Sequence, residues 1–433
     1  MTTNDRLDAL RGSLASVAGG PRVVVVAMPS VHRVVIEANL RIGSRYESRE
    51  LNGISHFLEH VLFRGTPRHP SAHELILAVE SSGGSLAAAT SVDHGELTME
   101  APPERFEDLL PIFADAYCHP LLSDLEVERG IVREEILESL DDKGRQIDPD
   151  NLSRETCFGQ HPLGMPITGT LGHLERFDSA RLRAHHRAHY TAEGTVITVA
   201  GPVDPGRTVA LLEKLFANLP HGERPRSTPP PTQAQPHWRY VHHSASSQTA
   251  IRVVFRAPAE NASDEPATDL LSRILDDGMS TRLYHRICDI KGLCYDVAAN
   301  YEAYSDSGLL ELAGEAAHER ALDLLRELLA VVADLRDRGP SPEEVHKAKC
   351  RYRWQLYEML DDPGDVAEFL GIEHLIELGR SPADRLAQIE AVSIDQLRAA
   401  SRTVFQARGM SVVAVGSLAK ETQHALRALI EDF

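Results

Sequence analysis

The chain has 433 residues, 42% of them apolar and 25% charged; 45 basic against 64 acidic side chains leave a formal net charge of −19. That length exceeds one core and suits two domains of ordinary size. The acidic balance argues against a nucleic-acid binder and against attachment to an anionic membrane, since both depend on clustered Lys and Arg.

No apolar run approaches the ~20 residues of a membrane span. The start, Met1-Thr2-Thr3-Asn4-Asp5-Arg6, lacks the basic and apolar regions of a secretory signal. The five cysteines (Cys118, Cys157, Cys288, Cys294, Cys350) are odd in number and scattered. A reducing, cytoplasmic setting is therefore expected.

In chain order, Val34 to Ile42 alternates apolar residues with Glu37, Asn39 and Arg41, the pattern of a half-buried strand. Asn52 to Gly65 reads as one helix of about three turns, with Asn52 as N-cap and Gly65 just past its end. Ser123 with Glu126 marks a capping-box helix start, as does Ser341 with Glu344. The proline-rich stretch Pro220 to Pro236 is expected to be an extended linker.

The two halves echo each other. Ile251, Val253, Phe255 and Ala257 alternate with polar residues as the first half's strand does. Leu182 to Gly201 aligns without gaps on Leu397 to Gly416, each reading as helix, glycine break and buried strand. Residues 1–222 are expected to form a metal-binding domain, 223–236 a linker, and 237–433 a homologous domain without the metal residues. The fold class expected is α+β: two homologous sandwich halves, each a mainly antiparallel sheet with helices on one face, closing as a clamshell around a cleft.

The chemistry concentrates in His56-Phe57-Leu58-Glu59-His60. His56 and His60, at i and i+4, share a helix face and can hold one Zn²⁺. Glu59 sits beside them and can take a proton from a water near the metal. Burying these groups without a partner would be costly, and a metal offsets that cost. A third ligand is sought among Glu128, Glu134 and Glu135. Glu128 and Glu135 lie two turns apart on one face, and only one of Glu134 and Glu135 can point the way Glu128 does.

These residues resemble the inverted zinc motif of the pitrilysin and mitochondrial-processing-peptidase family. The likeness continues through Gly43-Ser44-Arg45-Tyr46-Glu47, Leu62 to Thr66, Gly83-Gly84 to Ser91, and His161-Pro162-Leu163-Gly164. In the second half it takes in Asp277 to Leu283 and Lys291-Gly292-Leu293-Cys294-Tyr295. The resemblance implies a zinc-dependent endopeptidase acting on peptides or unfolded segments. His56, His60 and Glu135 would be ligands, Glu59 the general base and Glu128 an accessory group. Leu86, Ala87, Ala88, Ala89 and Thr90 would form the strand that pairs with substrate, and Tyr295 would contact it from the second half. It also implies a homodimer, or a heterodimer with a homologous chain.

Two departures stand out. Ala87 occupies a position that is commonly Asn in the family. Cys288 stands where an Arg often precedes the Tyr by seven residues, with Arg282 and Arg286 nearby but off register. A rival reading follows: a non-catalytic or half-site subunit that binds a peptide or partner chain and is active only beside a second homologous chain.

Overall fold

The computed structural model describes residues 7–17 and 20–433. Strands are numbered in chain order. One sheet runs β1 (Ser13–Ser16), β2 (Arg22–Ala27), β6 (Thr195–Gly201), β3 (Val34–Leu40), β5 (Gly95–Ala101), β4 (Ser85–Thr90). The other runs β7 (His237–His242), β11 (Met410–Gly416), β8 (Thr249–Ala257), β10 (Gly308–Ala316), β9 (Val297–Ala303). Without β1, the two orders coincide strand for strand. Each sheet has one parallel pair, β2 with β6 and β7 with β11, and is otherwise antiparallel. The internal repeat is thus topological as well as sequential. The α+β class and the two equivalent halves read from the sequence are both present.

The helices that matter for the site are α1 (Ile54–Leu62), α2 (Phe106–Cys118), α3 (Leu125–Glu138), α4 (Pro149–Phe158), α5 (Ala321–Arg338), α6 (Pro342–Glu358) and α7 (Pro363–Leu375). On one face of the first sheet, Ile36, Ala38, Leu40, Leu97, Met99, Ile197 and Val199 are buried, as are Phe106, Leu109, Phe113 and Tyr117 of α2. The Tyr117 hydroxyl bonds Thr195 Oγ1 across that interface at 2.7 Å. Burial of each such large side chain stabilises by about 1.5–3 kcal/mol.

The opposite face is covered too, which corrects the expectation of helices on one face. α7 lies across β3 and β6. Every residue of β3 is therefore buried, Glu37 and Asn39 included, where alternation suggested a half-exposed strand. Two arginines hold the end of α7: Arg22 Nη1 donates to His374 O at 2.5 Å and Arg41 Nη2 to Leu375 O at 2.9 Å. They donate to carbonyls of the last turn and put positive charge at the negative pole of its dipole.

In the second sheet α4 plays the equivalent part. Leu152 packs with Val413 and Val415, Arg252 Nε donates to Asp150 at 2.6 Å, and Ser153 Oγ donates to Glu311 at 2.6 Å. A helix from the first half of the sequence therefore completes the second sheet, and a helix from the second half completes the first. The compact units follow this exchange rather than cuts at 222 and 237. One comprises Met1–Ile136, Pro166–Ser227 and Trp354–Arg385; the other comprises Leu137–Met165, Thr228–Arg353 and Leu386–Phe433. Residues 218–236 form neither helix nor strand, as the prolines suggested. Among the described residues, no helix is long and apolar enough to cross a membrane.

Candidate metal centre

The helix that carries the histidines begins differently from the expectation. Its N-cap is Gly53, at φ 93°, a left-handed conformation that disfavours other residues. The capping acceptor comes from outside the helix. The buried Glu47 carboxylate accepts from Gly53 N and Ser55 N, each at 2.8 Å, satisfying donors that the first turn leaves free. Asn52 is not the cap. Its Nδ2 donates to Glu47 Oε2 at 3.1 Å and to Pro166 O at 2.9 Å. Burial raises the Glu47 pKa, while these donors pull it the other way.

The helix of Glu128 and Glu135 also starts later than expected. Asp124 sits at φ 53° and α3 opens at Leu125, so Ser123 lies outside it. The Ser341 and Glu344 box forms at the head of α6, with both reciprocal bonds present.

α1 and α3 bring three donors together. His56 Nε2 lies 3.3 Å from Glu135 Oε1, and His60 Nε2 lies 3.7 Å from Glu135 Oε2. One ligand atom from each of the three lies within 4.8 Å of the others. Donors sharing a tetrahedral Zn²⁺ are about 3.3 Å apart. The donor set, two imidazoles and one carboxylate, fits such an ion. Of the pair Glu134 and Glu135, it is Glu135 that faces the histidines.

The electrostatics agree with the geometry. Hydrogen bonds from His56 and then His60 pull the Glu135 carboxyl down to about 2. Burial alone would lower the His60 pKa, but Glu135, Glu59 and Glu128 outweigh it and leave the imidazole raised. A cationic partner is favoured here, whether proton or metal.

Glu128 does not face the metal position. Its buried carboxylate takes His60 Nδ1 at 3.2 Å on one oxygen and pairs with Arg64 on the other. It thus holds the His60 ring so that Nε2 turns toward Glu135. Glu59 sits beside the donors, and Thr90 Oγ1 donates to its Oε2 at 2.6 Å.

The strand expected to receive substrate is β4, at the end of its sheet and, among the described residues, paired on one side only, with β5. Ala87 and Ala89 are exposed along it. Tyr295 lies in the other compact unit and is 96% exposed. Both arginines near it are engaged. Arg286 Nε bonds the buried Glu327 at 2.6 Å, and Arg282 is held by Glu344 and Asp334 at 2.5 and 3.1 Å. Cys288 faces Cys294, with sulfurs 3.7 Å apart.

Sequence reasoning gave no role to Glu47, Arg64 or the Thr90 hydroxyl. All three lie inside stretches that carried the family resemblance, which was the signal available.

Comparison with known proteins identifies the family. The profile described as Insulinase (Peptidase family M16) matches residues 22–171, and that described as Peptidase M16 inactive domain matches residues 176–352. An uncharacterised zinc protease of Mycobacterium bovis is 30% identical over 438 aligned residues, covering 98% of each chain. Among solved structures, a peptidase M16 inactive domain from Pseudomonas fluorescens superposes with a TM-score of 0.86 at 19% identity, covering 94% of this chain and 98% of that one. A protease from Helicobacter pylori gives 0.86 at 20% identity, covering 94% and 99%. The two family profiles, with a relative 30% identical from end to end, place the chain in peptidase family M16.

Proposed function

We propose that the chain is a zinc-dependent endopeptidase that hydrolyses peptides or unfolded segments. The observation that carries this reading is the convergence of His56, His60 and Glu135, with Glu59 on the same helix as the two histidines. His56, His60 and Glu135 would hold the Zn²⁺. When bound, the ion supplies Lewis acidity, which makes a peptide carbonyl more electrophilic and a nearby water more acidic.

The chain's own residues do the rest. The free edge of β4, Leu86 to Thr90, offers backbone donors and acceptors to an extended peptide, and the small Ala87, Ala88 and Ala89 leave it accessible. Glu59 takes the proton of the attacking water and returns it to the leaving amine. Glu128 keeps His60 oriented, and Tyr295 contacts substrate from the second half. The compact unit that contains His56, Glu59, His60 and Glu135 would supply the metal ligands and the base.

A second reading is favoured by one specific observation. Arg282 and Arg286 are tied up in ion pairs and Cys288 replaces the expected arginine. The chain would then be a half-site subunit that needs a homologous partner, in a homodimer or heterodimer, to complete the substrate contact.

The deciding experiment measures peptide cleavage by the zinc-loaded chain beside Glu59→Gln. The peptidase reading expects Glu59→Gln to keep its zinc and lose about a hundredfold or more in kcat. Equal turnover by both defeats it. Turnover that appears only with a second homologous chain supports the half-site reading, as does activity gained by Cys288→Arg.

A further inference from the structure

We infer that Thr90 is a positioning residue: its hydroxyl holds the Glu59 carboxylate and ties the base to the strand that receives substrate. The inference rests on the peptidase reading above.

The bond from Thr90 Oγ1 to Glu59 Oε2 is 2.6 Å, the short length of a hydroxyl donating to a carboxylate. A glutamate side chain has three free torsions, so an unbraced carboxylate at the end of a helix turn samples several rotamers. The brace occupies Oε2 and leaves Oε1 to take a proton. Threonine suits this task, because branching at Cβ restricts χ1 in a strand.

The backbone fixes Thr90 relative to Glu59 through a short chain of contacts. Thr90 ends β4, and the turn after it is closed by Ser91 N donating to His94 O at 2.8 Å. That turn docks on the segment leading to the metal helix, where Arg45 N donates to Val92 O at 2.9 Å. Gly43 makes the approach possible: it lies at φ 112°, and a Cβ there would fall 2.3 Å from Ser91 O. Gly43 N in turn donates to Ser55 Oγ on α1 at 3.3 Å. The hairpin end and the helix bearing Glu59 are therefore held at a set distance, and the Thr90 hydroxyl spans it.

The consequence is a coupling. A peptide pairing along β4 stiffens the strand whose last side chain aims the base. Seating of substrate and alignment of Glu59 then occur together, and the gain falls in the chemical step.

The test uses the full zinc-loaded chain and a quenched fluorogenic peptide, with Thr90→Val, Thr90→Ala and Thr90→Ser. Val and Ala remove the hydroxyl; Ser keeps it. Both hydroxyl-free variants are expected to retain zinc and a KM within about twofold of wild type, while kcat falls about tenfold to a hundredfold. Thr90→Ser restores most of that loss. In crystals of the zinc-loaded proteins, Glu59 takes one rotamer in the wild type and in Thr90→Ser, and several in the variants lacking the hydroxyl. A wild-type kcat in both hydroxyl-free variants overturns the inference, as does a loss carried by KM alone. Should the wild type cut no peptide, the peptidase reading fails by itself and the crystals decide the positioning role: an unmoved, singly ordered Glu59 in Thr90→Val or Thr90→Ala refutes it, and a scattered one supports it.

Discussion

Gly371 on α7 presses its backbone against Asn39 on β3: a Cβ at Gly371 would fall 1.8 Å from Asn39 Oδ1 and 3.3 Å from Thr198 Oγ1. A helix contributed by the second half of the sequence thus lies closer to the first sheet than any side chain would allow. Glycine inside a helix costs about 1 kcal/mol relative to alanine. Here the cost is offset by burial of a polar strand face, on which Asn39 Nδ2 and Glu37 Oε1 bond at 2.6 Å.

Gly371→Ala should therefore destabilise the protein, although alanine is the better helix former. The clash forces α7 or Asn39 to move, at about 1–3 kcal/mol. Gly130→Ala is the matched control. It lies in α3 with no atom near its missing Cβ, and should stabilise by about 0.5–1 kcal/mol. Chemical denaturation of both variants checks the opposite signs. A Gly371→Ala protein as stable as wild type would show that α7 does not sit this close.

Glu37 makes stability depend on pH. Burial, with Glu96 next in weight, raises its carboxyl to about 8, against a smaller pull downward from Asn39. Glu368 and His94 also face it. Between about 4.5 and 8 the folded chain holds this proton and the unfolded chain has lost it. The stability due to this group is whole below about 4.5 and is lost as pH rises through 8. Glu37→Gln keeps the oxygen that Asn39 bonds and removes the titration. It should match wild type near pH 4.5 and exceed it increasingly toward pH 9, by an amount on the order of a few kcal/mol. Thermal melts across that range measure the difference. A gap that does not change with pH would refute the assignment.

The grouping of His56, His60 and Glu135 was largely legible because its rules are local. Spacing of four residues puts His56 and His60 on one face, and spacing of seven aligns Glu128 with Glu135. Helical offset pairs Glu135 rather than Glu134 with Glu128, the family resemblance made Glu135 the expected ligand, and in the fold it is Glu135 that lies near His56 and His60. What escaped the sequence is non-local. Glu37 and Asn39 alternate with apolar neighbours, so β3 read as half-exposed, yet α7 arrives from some 330 residues away to bury them. Asn52 is a good N-cap by type, but the buried Glu47 carboxylate took that role. The arginines beside Cys288 are held by partners that only the fold supplies, Glu327 from α5 and Glu344 from α6.

The link from Arg64 through Glu128 to His60 should show in metal affinity. Glu128→Gln keeps the size of the side chain but loses the charge that pairs with Arg64 and holds His60 Nδ1. Its zinc affinity should fall about 10–100-fold, the usual effect of losing a partner that orients a ligand. Arg64→Met should act in the same direction and more weakly, since Glu128 remains to hold the ring. Competition against a chromophoric chelator measures both. Unchanged affinity in Glu128→Gln would mean that the ring of His60 is fixed by its helix alone.

Glu47 should matter to the fold and to the centre together. Glu47→Ala strips the acceptor from Gly53 N, Ser55 N and Asn52 Nδ2 in a buried place. An unpaired buried donor costs about 1–3 kcal/mol, and partial relaxation brings the expected total loss to about 2–4 kcal/mol. The first turn of α1 then frays, and it carries His56, so zinc binding weakens with stability. Glu47→Gln should lie between wild type and Ala: it keeps one acceptor oxygen but turns an amide donor toward backbone N–H groups. Ser48→Ala, next to it and exposed, should be nearly neutral. Denaturation and zinc titration on the three variants separate the cases. Stability lost with zinc affinity intact would place the role of Glu47 in the fold alone, because His56 would then be held without the cap.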